Sequence, residues 1–202
     1  MSDFTYEYST STPLETFEWD NTWIDHANDK TTPRVLYIGD SISCGVRKRC
    51  NAHANGRAFF DGFGTSKALD NPVLFDSVRL FAAQEPGRNV ILFNNGLHGW
   101  HLSDDGEYAA YYERIIEAIR RAFPKTPLYL VLTTSVRDAL TELRVGVRNA
   151  VALELAKKYA LEVIDLYTVS AENAELRSAD GVHYTEAGYD KFADHILNRI
   201  GL

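Results

Sequence analysis

The stretch "VLYIGDSISCG" runs from Val35 to Gly45. A β-branched and aromatic run passes straight into Gly39, Asp40 and Ser41 and then into a small-residue turn. A run that does not alternate fits a parallel strand buried on both faces. Ser41 then stands at a strand-to-helix turn. Serine there is favoured as a helix cap, and the same place suits a nucleophile lifted off a strand end.

Similar runs follow at Asn89–Phe93, Leu128–Thr133 and Leu161–Leu166, with a shorter one at Ala58–Phe60. Between them lie segments of helical period at Ser66–Gln84, Gly106–Phe123, Leu140–Tyr159 and Glu186–Ile200. In the second of these, Tyr111, Ile115, Ile116, Ile119 and Phe123 form an inward stripe, and Pro124 and Pro127 end it. Five strands alternating with helices predict an α/β fold, a three-layer α/β/α sandwich around a five-stranded parallel sheet with right-handed crossovers. The 202 residues fit one such domain, 33–202, preceded by an arm, 1–32. The arm carries Phe17, Trp19, Trp23 and Ile24, and rings of that size are expected to pack on the domain.

Composition narrows the function. Apolar residues at 45% and aromatics at 12% supply a core. A net charge of -7 opposes nucleic-acid binding, which draws on clustered cations; the short run Arg47, Lys48, Arg49 reads as a solvated helix end. No apolar segment reaches the length of a membrane span, and the acidic start does not resemble a signal peptide, so a cytoplasmic protein without a membrane partner is expected. Cys44 and Cys50 are neither a disulfide framework nor a Cys-x-x-Cys motif and read as free thiols.

In doubly wound sheets ligands bind beyond the carboxyl ends of the strands. Ser41 follows the first strand, the polar segment Asn94, Asn95, Gly96, Leu97, His98 follows the third, and "ADGVHYTEAG" with Asp180 and His183 follows the fifth. A serine, an imidazole and a carboxylate are the parts of a nucleophilic acyl-transfer site: the base takes the hydroxyl proton and the carboxylate fixes the tautomer of the base. Asp180 and His183 share one Gly-containing loop, with Thr185 as cap of the helix behind it. Asp40 reads as a structural residue binding loop amides. The site also needs donors for an oxyanion. Candidates are the amide of Ser41, Gly62 or Gly64 in "FFDGFGTS", and side chains of the Asn94–His98 loop.

With these residues in place the sequence resembles the SGNH hydrolases, the GDSL-like lipase, acylhydrolase and esterase superfamily. Gly39, Asp40, Ser41 match its first block and Asp180, Gly181, Val182, His183 its last, and the likeness covers Pro33 to Leu202. The resemblance implies a flavodoxin-like five-stranded sheet, a Ser41–His183–Asp180 triad and ester hydrolysis without cofactor or metal. It puts Gly64, with Gly62 as second choice, at the oxyanion glycine. "FNNGLHG" stands where the third block has Gly-x-Asn-Asp, as in a divergent branch, so His98 takes the place of the oxyanion asparagine and Asn94 or Asn95 is expected to supply the missing amide.

The expected activity is therefore a serine esterase acting on a small-molecule or oligosaccharide ester, with O-acetyl carbohydrate as the substrate by analogy with small members of that superfamily. The alternatives are an acyltransferase with the same triad and a non-catalytic carbohydrate-binding protein on the same fold. His98 and His101 lack a third ligand for a metal. Trp100 and Tyr108 read as groove or packing residues, and Thr133, Thr134, Ser135 and Arg137 as substrate contacts or helix caps. Asn149, mid-helix, receives no role. Oligomeric state is open.

Overall fold

The first parallel strand, β2 (Arg34–Gly39), is buried at every position because both of its faces carry helices. Val35 and Tyr37 point to one layer, and Leu36 and Ile38 to the other. The structure is a computed structural model that describes residues 12–85 and 87–202. The first eleven residues of the arm therefore lie outside the described residues.

The elements run in chain order from β1 (Asp20–Trp23) through β2 to α1 (Ser41–Ala54), β3 (Phe59–Thr65), α2 (Leu74–Ala82) and β4 (Val90–Phe93). They continue with α3 (Asp105–Ala122), β5 (Leu128–Val131), α4 (Ala139–Tyr159), β6 (Glu162–Ile164), α5 (Leu166–Glu172) and α6 (Glu186–Arg199). The sheet order is β1-β3-β2-β4-β5-β6. The five expected strands are all parallel, in the doubly wound order that places a switch point between β2 and β4.

The sheet departs from expectation by a sixth strand. β1 comes from the arm and pairs antiparallel with β3. Its sequence, Asp-Asn-Thr-Trp, is exposed throughout and apolar only at Trp23, so no apolar pattern announces it. On one side of the sheet α2, α3 and α4 bury Leu74, Val78, Tyr112, Ile116 and Leu155; on the other, α1, α5 and α6 bury Val46, Leu166, Phe192 and Ile196.

Three other expectations shift for local reasons. The helix foreseen over Ser66–Gln84 begins only at Leu74. Ahead of it Ser66 is bonded to Trp19, Lys67 N–H donates to Thr65 Oγ1, and Asn71 Oδ1 accepts from Val73 N–H across Pro72, so these residues form a loop. The strand foreseen to Leu166 ends at Ile164, because the Asp165 side chain accepts from Thr168 N–H and starts α5. β3 runs to Thr65, so Gly62 and Gly64 lie inside a strand. A Cβ on them would meet Arg47 Cδ at 2.4 Å and Cys44 Sγ at 2.3 Å, so the glycines let α1 pack close.

In the arm, Ile24 packs on the core, but Phe17 is 80% exposed. The arm meets the domain mainly through carboxylates and backbone: Asp20 Oδ1 accepts from Lys67 Nζ at 2.8 Å, and Trp19 N–H donates to Ser66 Oγ at 2.8 Å.

Candidate active site

The turn after β2 assigns the cap and the hydroxyl to different residues. Asp40 is the N-cap of α1, extended at φ -103°, and its Oδ1 accepts from Ile42 N–H at 3.0 Å. Ser41 is the first residue of the helix, so its side chain is not used as the cap. Burial pushes the Asp40 carboxyl up, while the imidazoles of His98 and His183 oppose that shift. Two histidines from distant loops therefore lie within electrostatic reach of this turn.

His183 Nε2 lies 2.7 Å from Ser41 Oγ, and His183 Nδ1 lies 2.7 Å from Asp180 Oδ2. With Nδ1–H donating to the carboxylate, Nε2 is left to accept from the serine hydroxyl. Asp180 Oδ1 also accepts from the N–H groups of Val182 and His183, both at 2.9 Å. The Val182 amide above all, then the His183 ring and amide, hold Asp180 down at about 2 from 3.8. The carboxylate is ionised at neutral pH, and its exposure favours the same state. The side chains of His183 and Asp180 are 40% and 52% exposed, so the relay opens on the surface.

The loop that carries the pair is tied at several points. Ser178 N–H donates to His183 O at 2.7 Å, and Arg137 N–H to Gly181 O at 2.8 Å. Arg137 spends its guanidinium on Ala179 O and Ser178 O, which makes it a brace for the loop. Gly181 has φ +80°, a left-handed conformation in which a side chain is strained. Thr185 caps α6 behind the loop through Gly188 N–H.

The expected oxyanion donors divide. Ser41 carries its amide at the N-terminus of α1, beside its own hydroxyl. Asn94 is committed elsewhere: Nδ2 donates to Val131 O at 2.7 Å and to Thr133 Oγ1 at 3.0 Å. Asn95 Nδ2 likewise donates to Lys67 O. Gly64 lies within β3, opposite Asn21 of β1. Antiparallel partners alternate between bonded and non-bonded pairs, and Ser66 N–H donates to Trp19 O. Two residues away, Asn21 and Gly64 form the next bonded pair, so the Gly64 amide faces β1. The His98 ring is half-buried, 6.2 Å edge-on from the Trp19 ring, with Nδ1 3.7 Å from Glu15 Oε1.

Several other expected contacts are structural. Thr133, Thr134 and Ser135 are buried; Thr133 N–H and C=O both bond the Asn149 side chain, at 2.8 and 2.9 Å, so Asn149 clamps the chain beyond β5. Tyr108 is buried, and Trp100 stacks on the guanidinium groups of Arg144 and Arg148. His101 Nε2 pairs with Asp70 Oδ2 at 2.8 Å, and among the described residues no cluster of three or more His, Cys, Asp or Glu is placed to hold a metal.

Sequence reasoning missed Arg148 and Glu15. Arg148, buried between the Trp100 and Tyr108 rings, donates to the carbonyls of Gly96, His98 and Gly99. The signal was a charge on the inward face of α4 among Val145, Ala152 and Leu155. Glu15 accepts from Gly99 N–H, 84 positions away, and no local pattern marks it.

No curated protein sequence matches the chain. Solved structures share its fold. A member of the lipolytic protein G-D-S-L family from Veillonella parvula is 22% identical with a TM-score of 0.65, covering 83% of this chain and 97% of that one. An acetyl xylan esterase, AlAXEase, is 16% identical with a TM-score of 0.62 over 83% and 99%. A carbohydrate esterase family 3 protein from Talaromyces cellulolyticus is 14% identical with a TM-score of 0.66 over 84% and 96%. The GDSL-like Lipase/Acylhydrolase family matches residues 37–191, which takes in the Ser41 turn, the His98 loop and the Asp180–His183 loop. On that match and this fold, the chain belongs to the GDSL-like lipase/acylhydrolase family.

Proposed function

We propose that the protein is a serine esterase that removes short acyl groups, O-acetyl groups of a carbohydrate, through Ser41, His183 and Asp180. The observation that carries this reading is the unbroken Asp180–His183–Ser41 relay, with both contacts at 2.7 Å. Ser41 Oγ attacks the ester carbonyl while His183 Nε2 takes its proton, and the carbonyl oxygen becomes the oxyanion. The Ser41 amide and the His98 imidazole are the groups we assign to that charge. The intermediate collapses, His183 returns the proton to the leaving alcohol, and an acyl-serine remains. Water, deprotonated by the same imidazole, then releases the acid and restores Ser41.

Asp180 stays ionised throughout and holds the imidazole in the tautomer that accepts at Nε2. The exposure of His183 and Asp180 supports a small acyl group on a bulky alcohol, since the carrier can remain outside while the acyl group reaches Ser41. It also favours hydrolysis over acyl transfer, which requires water to be kept from the acyl-enzyme. Two proteins of the same fold are described as an acetyl xylan esterase and a carbohydrate esterase, which agrees with this substrate class.

The test is labelling by a fluorophosphonate, followed by hydrolysis of chromogenic esters of increasing acyl length and of acetylated xylan. Labelling lost in Ser41→Ala, with acetyl esters preferred, is the expected result. An unlabelled wild-type protein overturns the serine mechanism, and a preference for long acyl chains overturns the substrate.

A further inference from the structure

The peptide unit between His98 and Gly99 is held at both ends by different parts of the chain. Its carbonyl accepts from Arg148 of α4 at 2.6 Å, and its N–H donates to Glu15 Oε1 of the arm, also at 2.6 Å. Gly99 has φ +69°, and a glycine can leave that conformation with little steric penalty. A peptide beside such a residue turns over readily unless both its polar groups are engaged. The N–H bond is to a carboxylate and so belongs to the stronger, charge-assisted class.

The same carboxylate oxygen stands 3.7 Å from His98 Nδ1. Glu15 is itself fixed, since its own N–H donates to Glu18 Oε1 at 3.0 Å. Trp19, anchored on Ser66, meets the same ring edge-on with 6.2 Å between centroids, and its Cζ3 comes within 3.6 Å of the position a Gly64 Cβ would take. The arm thus meets His98 through two residues, Glu15 and Trp19.

We propose that Glu15 is a positioning residue for ester cleavage: by locking the His98–Gly99 peptide against Arg148 and standing beside Nδ1, it holds the His98 imidazole where the oxyanion develops. The inference rests on the serine-esterase reading. It makes the arm part of the reaction apparatus, acting through His98 rather than on the substrate. Misplacing a group by about 1 Å can cost up to about a hundredfold in rate, so losing the lock should cost about tenfold to a hundredfold.

The experiment compares wild type, Glu15→Ala, Glu15→Gln, His98→Ala and the Glu15→Ala/His98→Ala double variant. Two rates are read, kcat on a chromogenic acetyl ester and the second-order rate of fluorophosphonate labelling at Ser41. In labelling, Ser41 Oγ bonds to phosphorus, fluoride leaves, His183 takes the proton, and the phosphoryl oxygen gains charge in the same place as a carbonyl oxygen. Both rates should fall about tenfold or more in Glu15→Ala with KM nearly unchanged. Glu15→Gln, whose amide oxygen can still accept from Gly99, should recover most of the loss. On the His98→Ala background Glu15→Ala should have no further effect.

Melting curves identify any variant that fails to fold, and Glu15→Gln keeps the comparison available in that case. Wild-type rates in Glu15→Ala, or losses that simply multiply in the double variant, overturn the proposal while leaving the esterase reading intact. An unlabelled wild-type protein overturns both.

Discussion

Gly96→Ala should be among the most damaging small substitutions in this chain. A Cβ at Gly96 would lie 1.8 Å from Thr133 Oγ1, 2.7 Å from its Cβ and 2.9 Å from its Cγ2. The first separation is roughly half an ordinary contact distance of about 3.5 Å. Thr133 has nowhere to go: Asn94 holds its hydroxyl and Asn149 holds both backbone groups. Overpacking of this kind costs about 1–3 kcal/mol, and breaking the buried Asn94–Thr133 bond adds about 1 kcal/mol, for a total of about 2–4 kcal/mol. For a chain of this length each kcal/mol lowers Tm by about 2–4 °C, so a fall of about 5–15 °C is expected. Urea titration and thermal melts by circular dichroism read the loss. Thr133→Ala removes two of the three clashing atoms, so adding it should restore about 1 kcal/mol or more. A Gly96→Ala protein that melts within about 2 °C of wild type would show that Thr133 can yield to the added methyl group.

Other perturbations test the site and its supports. Asp180→Asn should lower kcat by about 10³–10⁴-fold, because the amide no longer fixes the His183 tautomer; ester hydrolysis at pH 7 checks this. The same substitution has a stability signature in acid. The folded-state value of Asp180 is depressed, from 3.8 to about 2, so its contribution is complete above pH 4 and disappears as pH falls through 2. Acid unfolding should therefore show Asp180→Asn less stable than wild type at pH 5, with the gap closing between pH 4 and 2; a gap that persists at pH 2 contradicts the assignment. Arg148→Lys keeps the charge but cannot fork to the carbonyls of Gly96, His98 and Gly99. It should lose about 2–4 kcal/mol in urea titration and lower kcat more than it raises KM.

The parts of the molecule that could be read from the sequence are those whose information is local. β2 announces itself by the unbroken apolar run Val35–Ile38, and the Ser41 turn follows it directly. The Asp180–His183 pair lies within one turn of chain, so residue type and spacing suffice. What escaped is what depends on remote partners. β1 is three polar residues and one exposed tryptophan paired with β3, and nothing in Asp-Asn-Thr-Trp distinguishes it from a loop. It lies along β3 opposite Gly64, a neighbour that the residue types around Gly64 do not reveal. Asn94 looked like a free donor because its acceptors, Val131 O and Thr133 Oγ1, come from the next strand and the segment beyond it. The Ser66–Gln84 segment has helical spacing, yet Trp19 and Asn95 bind its first residues in a loop.

The arm strand also decides which edge of the sheet the solvent sees. With β1 in place that edge is short, polar at three of its four positions and marked by Asp20. Removing residues before Pro33 would bare β3, a seven-residue strand containing Phe59, Phe60 and Phe63 with an unsatisfied row of backbone groups. Such an edge is a template for pairing with another chain. A protein trimmed to the parallel domain should self-associate in a concentration-dependent way by light scattering where the longer chain does not, and a monodisperse trimmed protein would show that β3 protects itself. The arm is then a guard against aggregation, independent of any part it plays in catalysis.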